Sequence, residues 1–377
     1  MEKKILEYGD AVINERLSKL LPYIKHAKIG LIADTHFNIW QRNNRFFSHI
    51  EEMFEGFVDV CQSEAVDCIY ILGDLFDAKH TVSTEGLTRV NKMIAMLADR
   101  WPMVIIPGNH DMAYLDNSEI NLASNYKRHE NIVVIDKPAV AFKFGTHQFF
   151  LPYSVTIGNE VKEITSMIPL NGDKVNLFSH FGAAGFKVHD YSSIGADESA
   201  SQVVFQDLPH IFSNVFLGHY HGYQTWEGIT YVSAPLQSRH GDEKSKHGFV
   251  VFDTKSREHT FFENKRTPRF ITYELTKDNV NRMLGLKNHY IRIMVKKKVS
   301  KELIVALKRK LMKNNFEVKV IMDIPKEAKF SAISGWKEIV FHDAESLLVG
   351  FLDGLEEQGA LKFNKKNLLA HLGIGGK

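Results

Sequence analysis

The sequence contains few cysteines and no long apolar segment. Only Cys61 and Cys68 occur among its 377 residues. Both lie in one predicted helix–strand segment, so neither a disulfide framework nor a thiolate metal site is indicated, and a reducing compartment is expected. No run of about 18 apolar residues is present, which argues against a transmembrane helix. The first 28 residues are rich in Glu and Lys and lack the apolar region of a secretory signal.

The net charge is too small to indicate a polyanionic partner by itself, because it is only +2 at pH 7. Basic side chains are nevertheless concentrated between positions 287 and 319, where Glu302 and Glu317 are the acidic residues. Such a stretch either contacts phosphate groups or forms a solvated helix face beside an exposed strand. The sequence leaves both interpretations open.

Five short polar motifs are the most informative feature of the chain. Each follows a short apolar run of the kind that forms a buried strand. In chain order they are Asp34-Thr35-His36, Gly73-Asp74-Leu75-Phe76-Asp77, Gly108-Asn109-His110-Asp111, the single His180, and Gly218-His219-Tyr220-His221. Because residues at strand ends converge on one edge of an α/β sheet, the five motifs are predicted to form one site.

The donor groups in these motifs indicate a site for two metal ions. Carboxylate, imidazole and amide groups without thiolates suit borderline divalent ions such as Mn²⁺, Fe²⁺ or Zn²⁺. Two ions about 3.5–4 Å apart can activate water and neutralise a phosphate, and a carboxylate can join them. Asp74 is the predicted bridge. The predicted sites consist of Asp34, His36, Asp74 and His221 for one ion, and of Asp74, Asn109, His180 and His219 for the other.

His110 and Asp111 are predicted to act beside the ions. His110 adjoins Asn109 but faces another way in extended chain. That placement suits donation to developing charge or protonation of a leaving oxygen. Asp111 is expected to fix the tautomer of an imidazole. The glycines at positions 73, 108 and 218 precede ligands at sharp turns, where freedom in φ is expected.

Two histidine assignments stay open. One residue carries the fourth motif, and His189 lies close to His180 in the sequence. The predicted strand over 175–178 favours His180, because it delivers that side chain to the sheet edge. His80 either contacts a phosphate or is structural. Each motif alone is also compatible with an ordinary surface or core residue, so the prediction depends on five motifs in one order.

The order of elements predicts an α/β fold with two packed sheets. Residues 10–24 have the spacing of an amphipathic helix, with Asp10 as its N-cap. Helix-like and strand-like runs then alternate in the manner of βαβ units until strands predominate, which predicts a second sheet. A small α+β unit is expected from Arg269. Two short amphipathic helices follow Asp343 and Asn364, and they dock either on the body or on a partner.

These motifs resemble those of the calcineurin-like metallophosphoesterase superfamily over about residues 28–253. More narrowly, the second and third motifs and the helix from Thr84 look like those of SbcD-type DNA repair nucleases. The resemblance implies a two-sheet metallophosphoesterase sandwich flanked by helices. It also implies a hydrolase with two divalent ions, with Mn²⁺ expected, that acts as an exonuclease on duplex ends and an endonuclease on single strands.

The same resemblance implies a domain order and partners. The expected parts are a nuclease core (28–265), a small α+β capping domain (266–330) and a C-terminal helical segment (331–377). The N-terminal helical extension (1–27) is predicted from its own residues, because the family usually begins directly at its first strand. The C-terminal segment would bind a coiled-coil ATPase of the SbcC type, and the helix over 84–100 is a candidate homodimer contact. DNA is the expected substrate, no membrane is expected, and the expected location is cytoplasmic, or nucleoid-associated in a bacterial or viral setting.

Two alternatives and one departure from the family pattern accompany this interpretation. A stand-alone hydrolase of a nucleotide or other small phosphoester would use the same ions, would pack its C-terminal helices on the core and would not cleave DNA. A binding protein with a degenerate site is disfavoured by the intact ligand set. Some relatives have a phosphate-orienting histidine where this chain has Asp77, so no role beyond local structure is expected for that carboxylate.

Overall fold

The computed structural model describes residues 2–37, 44–77, 81–168, 175–183, 186 and 208–323. The chain divides into two compact units between Thr267 and Pro268. His80, His189 and the helices predicted after Asp343 and Asn364 lie outside the described residues. Within these ranges, none of the helices combines the length and the apolar character needed to span a bilayer.

The helices of the described chain match most of the predicted ones. Asp10 caps the second helix, as predicted, by accepting from the N–H groups of Val12 and Ile13. Ser300 caps the last described helix by accepting from the N–H of Leu303. The α-helices are α1 (Glu2–Leu6), α2 (Ala11–Leu20), α3 (Asn44–Ser63), α4 (Thr84–Ala98), α5 (Ile157–Met167), α6 (Leu208–Ile211), α7 (Lys277–Leu284) and α8 (Lys301–Met312). A 3-10 helix covers Leu122–Tyr126.

The strands of the first unit form two large sheets and a small hairpin. The strands are β1 (Lys28–Ile32), β2 (Cys68–Leu72), β3 (Met103–Ile106), β4 (Met112–Tyr114), β5 (Asn117–Asn121), β6 (Ile132–Val134), β7 (Ala139–Lys143), β8 (Thr146–Leu151), β9 (Val175–His180), β10 (Asn214–Gly218), β11 (Gln224–Trp226), β12 (Ile229–Tyr231), β13 (Gly248–Asp253) and β14 (Glu258–Glu263). The sheet orders are β14-β13-β1-β2-β3-β6 and β11-β12-β10-β9-β8-β7, and β4 pairs with β5.

Parallel pairing in both sheets brings the predicted motifs to common edges. In the first sheet β1, β2, β3 and β6 are parallel. In the second, β8, β9, β10 and β12 are parallel. All residues of β2, β3 and β9 are buried, as expected for central strands covered on both faces.

The two sheets face each other across an aromatic core. Phe150, Phe178 and Phe216 occupy paired positions on neighbouring strands of the second sheet. Their rings stack with centroid distances of 5.4 and 5.6 Å. Tyr70 of the first sheet meets Phe178 edge-on at 4.9 Å. Helices α3 and α4 pack on the outer face of the first sheet, and α1, α5 and α6 pack on that of the second. The chain therefore has the predicted two-sheet sandwich flanked by helices.

Helix α2 closes one side of this sandwich. It contacts both β6 and β7, which are the edge strands of the first and second sheets. Ile13, Leu17 and Leu21 enter the core between the sheets. The side chain of Arg16 donates to the carbonyl of Ile132 at 3.0 Å, and Asn14 Oδ1 accepts from the N–H of Val140 at 2.8 Å. The first part of the predicted apolar stripe is thus buried between two sheet edges. The helix ends at Leu20 rather than continuing to residue 24, and Ile24 is exposed.

The second unit is a small α+β layer, as the sequence predicts from Arg269. Its strands β15 (Phe270–Glu274), β16 (Tyr290–Val295) and β17 (Glu317–Met322) are all parallel. Alternate residues of β16 pack with Leu307 and Leu311 of α8. Helix α7, which is not predicted from the sequence, connects β15 to β16 and contributes Met283 to the same core.

Candidate metal centre

The five motifs meet at the carboxyl ends of strands from both sheets. Asp34, Asp74 and Asn109 follow β1, β2 and β3, while His180 ends β9 and His219 follows β10. Each of these five side chains therefore lies at the end of a strand or within three residues after it.

Backbone hydrogen bonds continue past the strand ends and join the first two motifs. The N–H of Asp34 donates to the carbonyl of Gly73 at 3.0 Å, and the N–H of His36 donates to the carbonyl of Asp74 at 3.0 Å. Asp34, His36 and Asp74 all adopt positive φ values, of 51°, 44° and 51°. Non-glycine residues rarely occupy this region, and such conformations concentrate at functional sites.

The first ligand group consists of Asp34, His36 and His221, whose donor atoms lie within 4.8 Å of one another. His36 Nε2 is 3.1 Å from His221 Nε2. Two imidazole nitrogens at this distance repel through their lone pairs unless a proton or a cation lies between them. Burial, followed by the charges of His36 and Arg239, lowers the pKa of His221 well below its usual value, which keeps a lone pair available.

The second ligand group consists of Asp74, His180 and His219, again with donor atoms within 4.8 Å. The Asn109 side chain joins it, because its Oδ1 lies 3.2 Å from His180 Nε2 and 3.1 Å from His219 Nδ1. His180 Nδ1 lies 2.8 Å from the carbonyl of Leu72. Because a carbonyl only accepts, Nδ1 carries the proton and Nε2 is directed to the site.

Asp74 lies between the two groups. Its Oδ2 is 3.7 Å from His36 Nε2 and 3.3 Å from His180 Nε2. Its Oδ1 accepts from the N–H of His110 at 2.8 Å. One carboxylate oxygen therefore faces an imidazole of each group, which is the arrangement expected of a shared ligand.

Burial and charge act in opposite directions on the central ionisable groups. Burial raises the pKa of Asp34. Burial would also raise the pKa of Asp74, but the positive charges of His180 and His36 outweigh it and lower that pKa. Burial likewise opposes the charge of His180, yet the neighbouring Asp74 carboxylate raises its pKa to about 9. Cation binding must therefore compete with a proton on His180.

The glycines of the motifs are required for two different reasons. Gly73 has a φ of +84°, as the predicted turn requires. Gly218 does not have a positive φ, so the expectation is wrong there. A Cβ atom at this position would lie 2.1 Å from the carbonyl oxygen of Leu72 and 2.6 Å from His180 Nδ1. Gly108 is similar, with Asp74 Oδ1 at 2.2 Å from its hypothetical Cβ, so both positions exclude side chains for lack of space.

His110 and Asp111 lie next to the centre but make different contacts. The His110 ring is 4.9 Å from the His36 ring, centroid to centroid. The Asp111 carboxylate is fully buried and accepts from the N–H groups of Gly108, Leu75 and Phe76 at 2.9, 3.2 and 2.8 Å. The expectation that Asp111 fixes an imidazole is therefore wrong: it holds together the backbones of the second and third motifs. Burial and the charge of Asp74 raise its pKa to about 7.

Asp77 also lies at the centre, although no role beyond local structure is expected for it from the sequence. Its Oδ1 lies 3.3 Å from His36 Nδ1, and its donor atoms form a third close group with His36 and His110. Its position three residues after Asp74 was the available signal, but the contact depends on how the intervening turn folds.

The residues present fit two divalent cations. The donor set combines carboxylates, imidazoles and one amide oxygen, which suits borderline ions. His221 Nε2, His36 Nε2 and Asp34 would hold one ion, Asn109, His180 and His219 would hold the other, and Asp74 would contact both. The chemistry supplied by two such ions is polarisation of a phosphoryl group and activation of water.

Fold and site together define a metal-dependent phosphoesterase. The model of the calcineurin-like phosphoesterase family matches residues 27–223, and the chain belongs to this family. The match covers β1 to β10 and all five motifs.

Individual relatives are distant. The chain is similar to the DNA double-strand break repair protein Mre11 of Sulfurisphaera tokodaii, with 26% identity over 50% of this chain and 48% of the relative. It is also similar to exonuclease subunit 1 of Enterobacteria phage T4, with 22% identity over 52% of this chain and 55% of the relative. The chain thus spans about half the length of these two proteins. A dimetal phosphatase from Danio rerio has a TM-score of 0.40 at 14% identity, covering 60% of this chain and 91% of that structure.

Proposed function

We propose that this protein is a metal-dependent DNA phosphodiesterase, an exonuclease on duplex ends and an endonuclease on single strands. The observation that carries the proposal is the Asp74 carboxylate, whose Oδ2 faces both His36 and His180 at the edge where five strands end. Such a centre suits hydrolysis of a phosphodiester. The names of the two relatives, a DNA break repair protein and an exonuclease subunit, favour DNA as the substrate.

His110 is the proposed proton donor of the reaction. Its Nδ1 lies 2.9 Å from the carbonyl of Asp77, so Nδ1 carries a proton and Nε2 is left to exchange one. The side chain is partly exposed and stands beside His36. It can therefore reach a bound phosphate and protonate the leaving oxygen.

The basic stretch of the second unit is the proposed contact for the DNA backbone. Lys296, Lys297 and Lys298 lie at the end of β16 and are exposed, as are Lys308 and Arg309 on α8. Exposed cations of this kind can replace the counterions of phosphates. The alternative of a simple solvated face predicts cleavage that does not change when these charges are removed.

The partners and the ion remain proposals of the same kind. We propose Mn²⁺ as the working ion, an SbcC-type ATPase bound through the segment 331–377, and a homodimer contact through α4. Apart from Ala95, the exposed residues of α4, among them Thr88, Asn91 and Lys92, are polar, so such a contact would be mainly hydrophilic. The segment 331–377 lies outside the described residues.

Cleavage of end-labelled duplex and circular single-stranded DNA in Mn²⁺ tests the proposal. We expect the parent to cleave both and His110→Ala to be slower by about a hundredfold or more, because the proton donor is lost. Metal content measured on the same samples should be unchanged, since His110 is not assigned as a ligand. A fall in metal content together with the rate would make His110 a ligand.

A chromogenic phosphodiester distinguishes the alternative. Robust hydrolysis of this compound without DNA cleavage would favour a stand-alone enzyme for a nucleotide or another small phosphoester. Adding an SbcC-type ATPase to the same assay then separates that enzyme from a nuclease that requires its partner.

A further inference from the structure

We propose that Asp77 is a positioning residue that holds two imidazoles of the centre, His36 with its side chain and His110 with its backbone. The inference rests on the metal-binding role proposed above for His36. The Asp77 carboxylate is neither one of the proposed metal ligands nor the proposed proton donor.

The side-chain contact lies on the far side of the His36 ring from the ion site. His36 Nε2 faces His221 Nε2 at 3.1 Å, while Nδ1 lies 3.3 Å from Asp77 Oδ1. The His36 side chain is buried, and its Nδ1 makes no hydrogen bond with another group of the described chain. At 3.3 Å the approach is a charge-stabilised contact rather than an ideal hydrogen bond, and contacts of this type shorten when a site is loaded.

A carboxylate at this position selects one tautomer. It attracts a proton to Nδ1 and so leaves the Nε2 lone pair directed at the ion, as outer partners of metal-bound histidines commonly do. The same negative charge favours a cation at Nε2. Asp77 is thereby an acceptor for the Nδ1 proton of His36, as the carbonyl of Leu72 is for the Nδ1 proton of His180.

The backbone contact fixes the second ring. The carbonyl oxygen of Asp77 lies 2.9 Å from His110 Nδ1, so the two contacts of one residue set the orientations of neighbouring rings.

Asp77 is itself held firmly. Its N–H donates to the carbonyl of Phe37 at 2.9 Å, and Phe37 pairs with Phe76 in an isolated bridge. Both phenylalanines are fully buried. The backbone of Asp77 is therefore tied to Phe37, the residue that directly follows His36.

This geometry makes the two ions unequal in their dependence on Asp77. The ion held by His36 loses an oriented ligand when the carboxylate is removed, whereas the other ion keeps Asn109, His180 and His219. Asp77→Ala removes only the side-chain contact, because the backbone carbonyl remains. Asp77→Asn keeps an oxygen that can accept from Nδ1.

Titration of the full-length, metal-free protein with Mn²⁺, followed by electron paramagnetic resonance, tests the inference. We expect two ions in the parent and in Asp77→Asn. In Asp77→Ala one ion should bind about 10- to 100-fold more weakly, the range typical of lost outer partners, while the other is unchanged. Asp116→Ala is the matched control, because it removes an exposed carboxylate from the turn between β4 and β5.

A spectroscopic readout separates orientation from general destabilisation. The ¹⁵N signals of His36 in the metal-free protein are assigned by comparing the histidine spectra of the parent and His36→Gln. We expect the Nδ1 signal to show a bound proton in the parent and to lose this signature in Asp77→Ala. Parent-like binding of both ions by Asp77→Ala, equal weakening of both ions, or a weakening that follows a lower melting temperature would overturn the inference. A parent that binds two ions but cleaves no DNA would contradict the proposed nuclease and leave this inference intact.

Discussion

Asp74 uses its two carboxylate oxygens for different contacts. Oδ2 faces His36 and His180, one from each ligand group, while Oδ1 accepts the N–H of His110. The residue therefore connects both proposed ions to the motif that carries the proposed proton donor. A buried carboxylate without these neighbours would carry a raised pKa, yet the imidazole charges keep that of Asp74 low.

Replacing Asp74 tests this shared role. We expect Asp74→Ala to lose both ions and to reduce hydrolysis of a chromogenic phosphodiester to background, because Oδ2 of Asp74 lies within 3.7 Å of an imidazole nitrogen of each group. Metal content by mass spectrometry and turnover are the two measurements. Normal turnover in this variant would refute the bridging role, and retention of exactly one ion would restrict Asp74 to one group.

His49 gives a residue-scale expectation away from the centre. It is buried on α3, and burial lowers its pKa from 6.5 to about 4, even though Glu52 Oε2 lies 3.8 Å from its Nδ1. Because the folded-state pKa is below the unfolded value, the neutral ring contributes stability that is complete above pH 6.5 and is lost as the pH falls towards about 4.

The urea midpoint of unfolding measures this effect. Between about pH 7 and about pH 4.5 we expect the parent to lose more stability than His49→Gln, since the amide cannot take up a proton. The other ionisable groups are common to both proteins, so their contribution to the pH dependence cancels in the comparison. Parallel profiles for the two proteins would show that His49 does not contribute.

At the residue scale, the sequence predicted where the proposed metal ligands lie but not the contacts of Asp111 and Asp77, which adjoin them. Asp34, Asp74 and His180 could be placed because each lies at the end of an apolar strand or two residues after it and carries a metal-binding group. Asp111 was misassigned because its partners are backbone N–H groups brought near by the turns of two motifs, which no spacing reveals. The contacts of Asp77 depend on the same turns.

At the scale of elements, the sequence predicts helix α2 but not its position between the two sheets. Its spacing predicts a buried apolar stripe, but spacing cannot say which surface covers that stripe. The structure shows that Leu17 is fully buried between the sheets. Helix α7 was missed for the opposite reason: it is short and polar, and Met283 is its one buried residue among those described.

Leu17→Ala tests the packing of α2. We expect a loss of about 2–5 kcal/mol in the free energy of unfolding, because the substitution leaves a cavity in the core. Val12→Ala is the control on the same helix, since Val12 is 67% exposed and its truncation should have little effect. Equal effects of the two substitutions in urea unfolding would mean that α2 does not pack as described.

At the scale of the whole molecule, the centre joins the two sheets of the first unit. Asp34, His36, Asp74 and Asn109 follow strands of the first sheet, whereas His180, His219 and His221 come from β9 and the segment after β10. Each proposed ion would therefore draw ligands from both sheets. Ion binding and the packing of the sandwich are linked as a consequence.

Metal removal should expose this linkage. We expect chelation to lower the melting temperature of the parent and Mn²⁺ to restore it, with about 2.7 kcal/mol of stabilisation per site at a free ion concentration a hundred times the dissociation constant. Asp74→Ala should show no such response. An equal gain from Mn²⁺ in both proteins would place the stabilising ion elsewhere.

Helix α2 also has a consequence for how far the folding unit extends. The family similarity begins at residue 27, yet α2 (Ala11–Leu20) covers the edge strands β6 and β7 of both sheets. Uncovered strands with free N–H and C=O groups recruit strands of other chains. A fragment that starts at residue 27 would therefore expose the edges of β6 and β7 and the apolar residues between them. The folding unit of this protein thus includes α2, which precedes the region of family similarity.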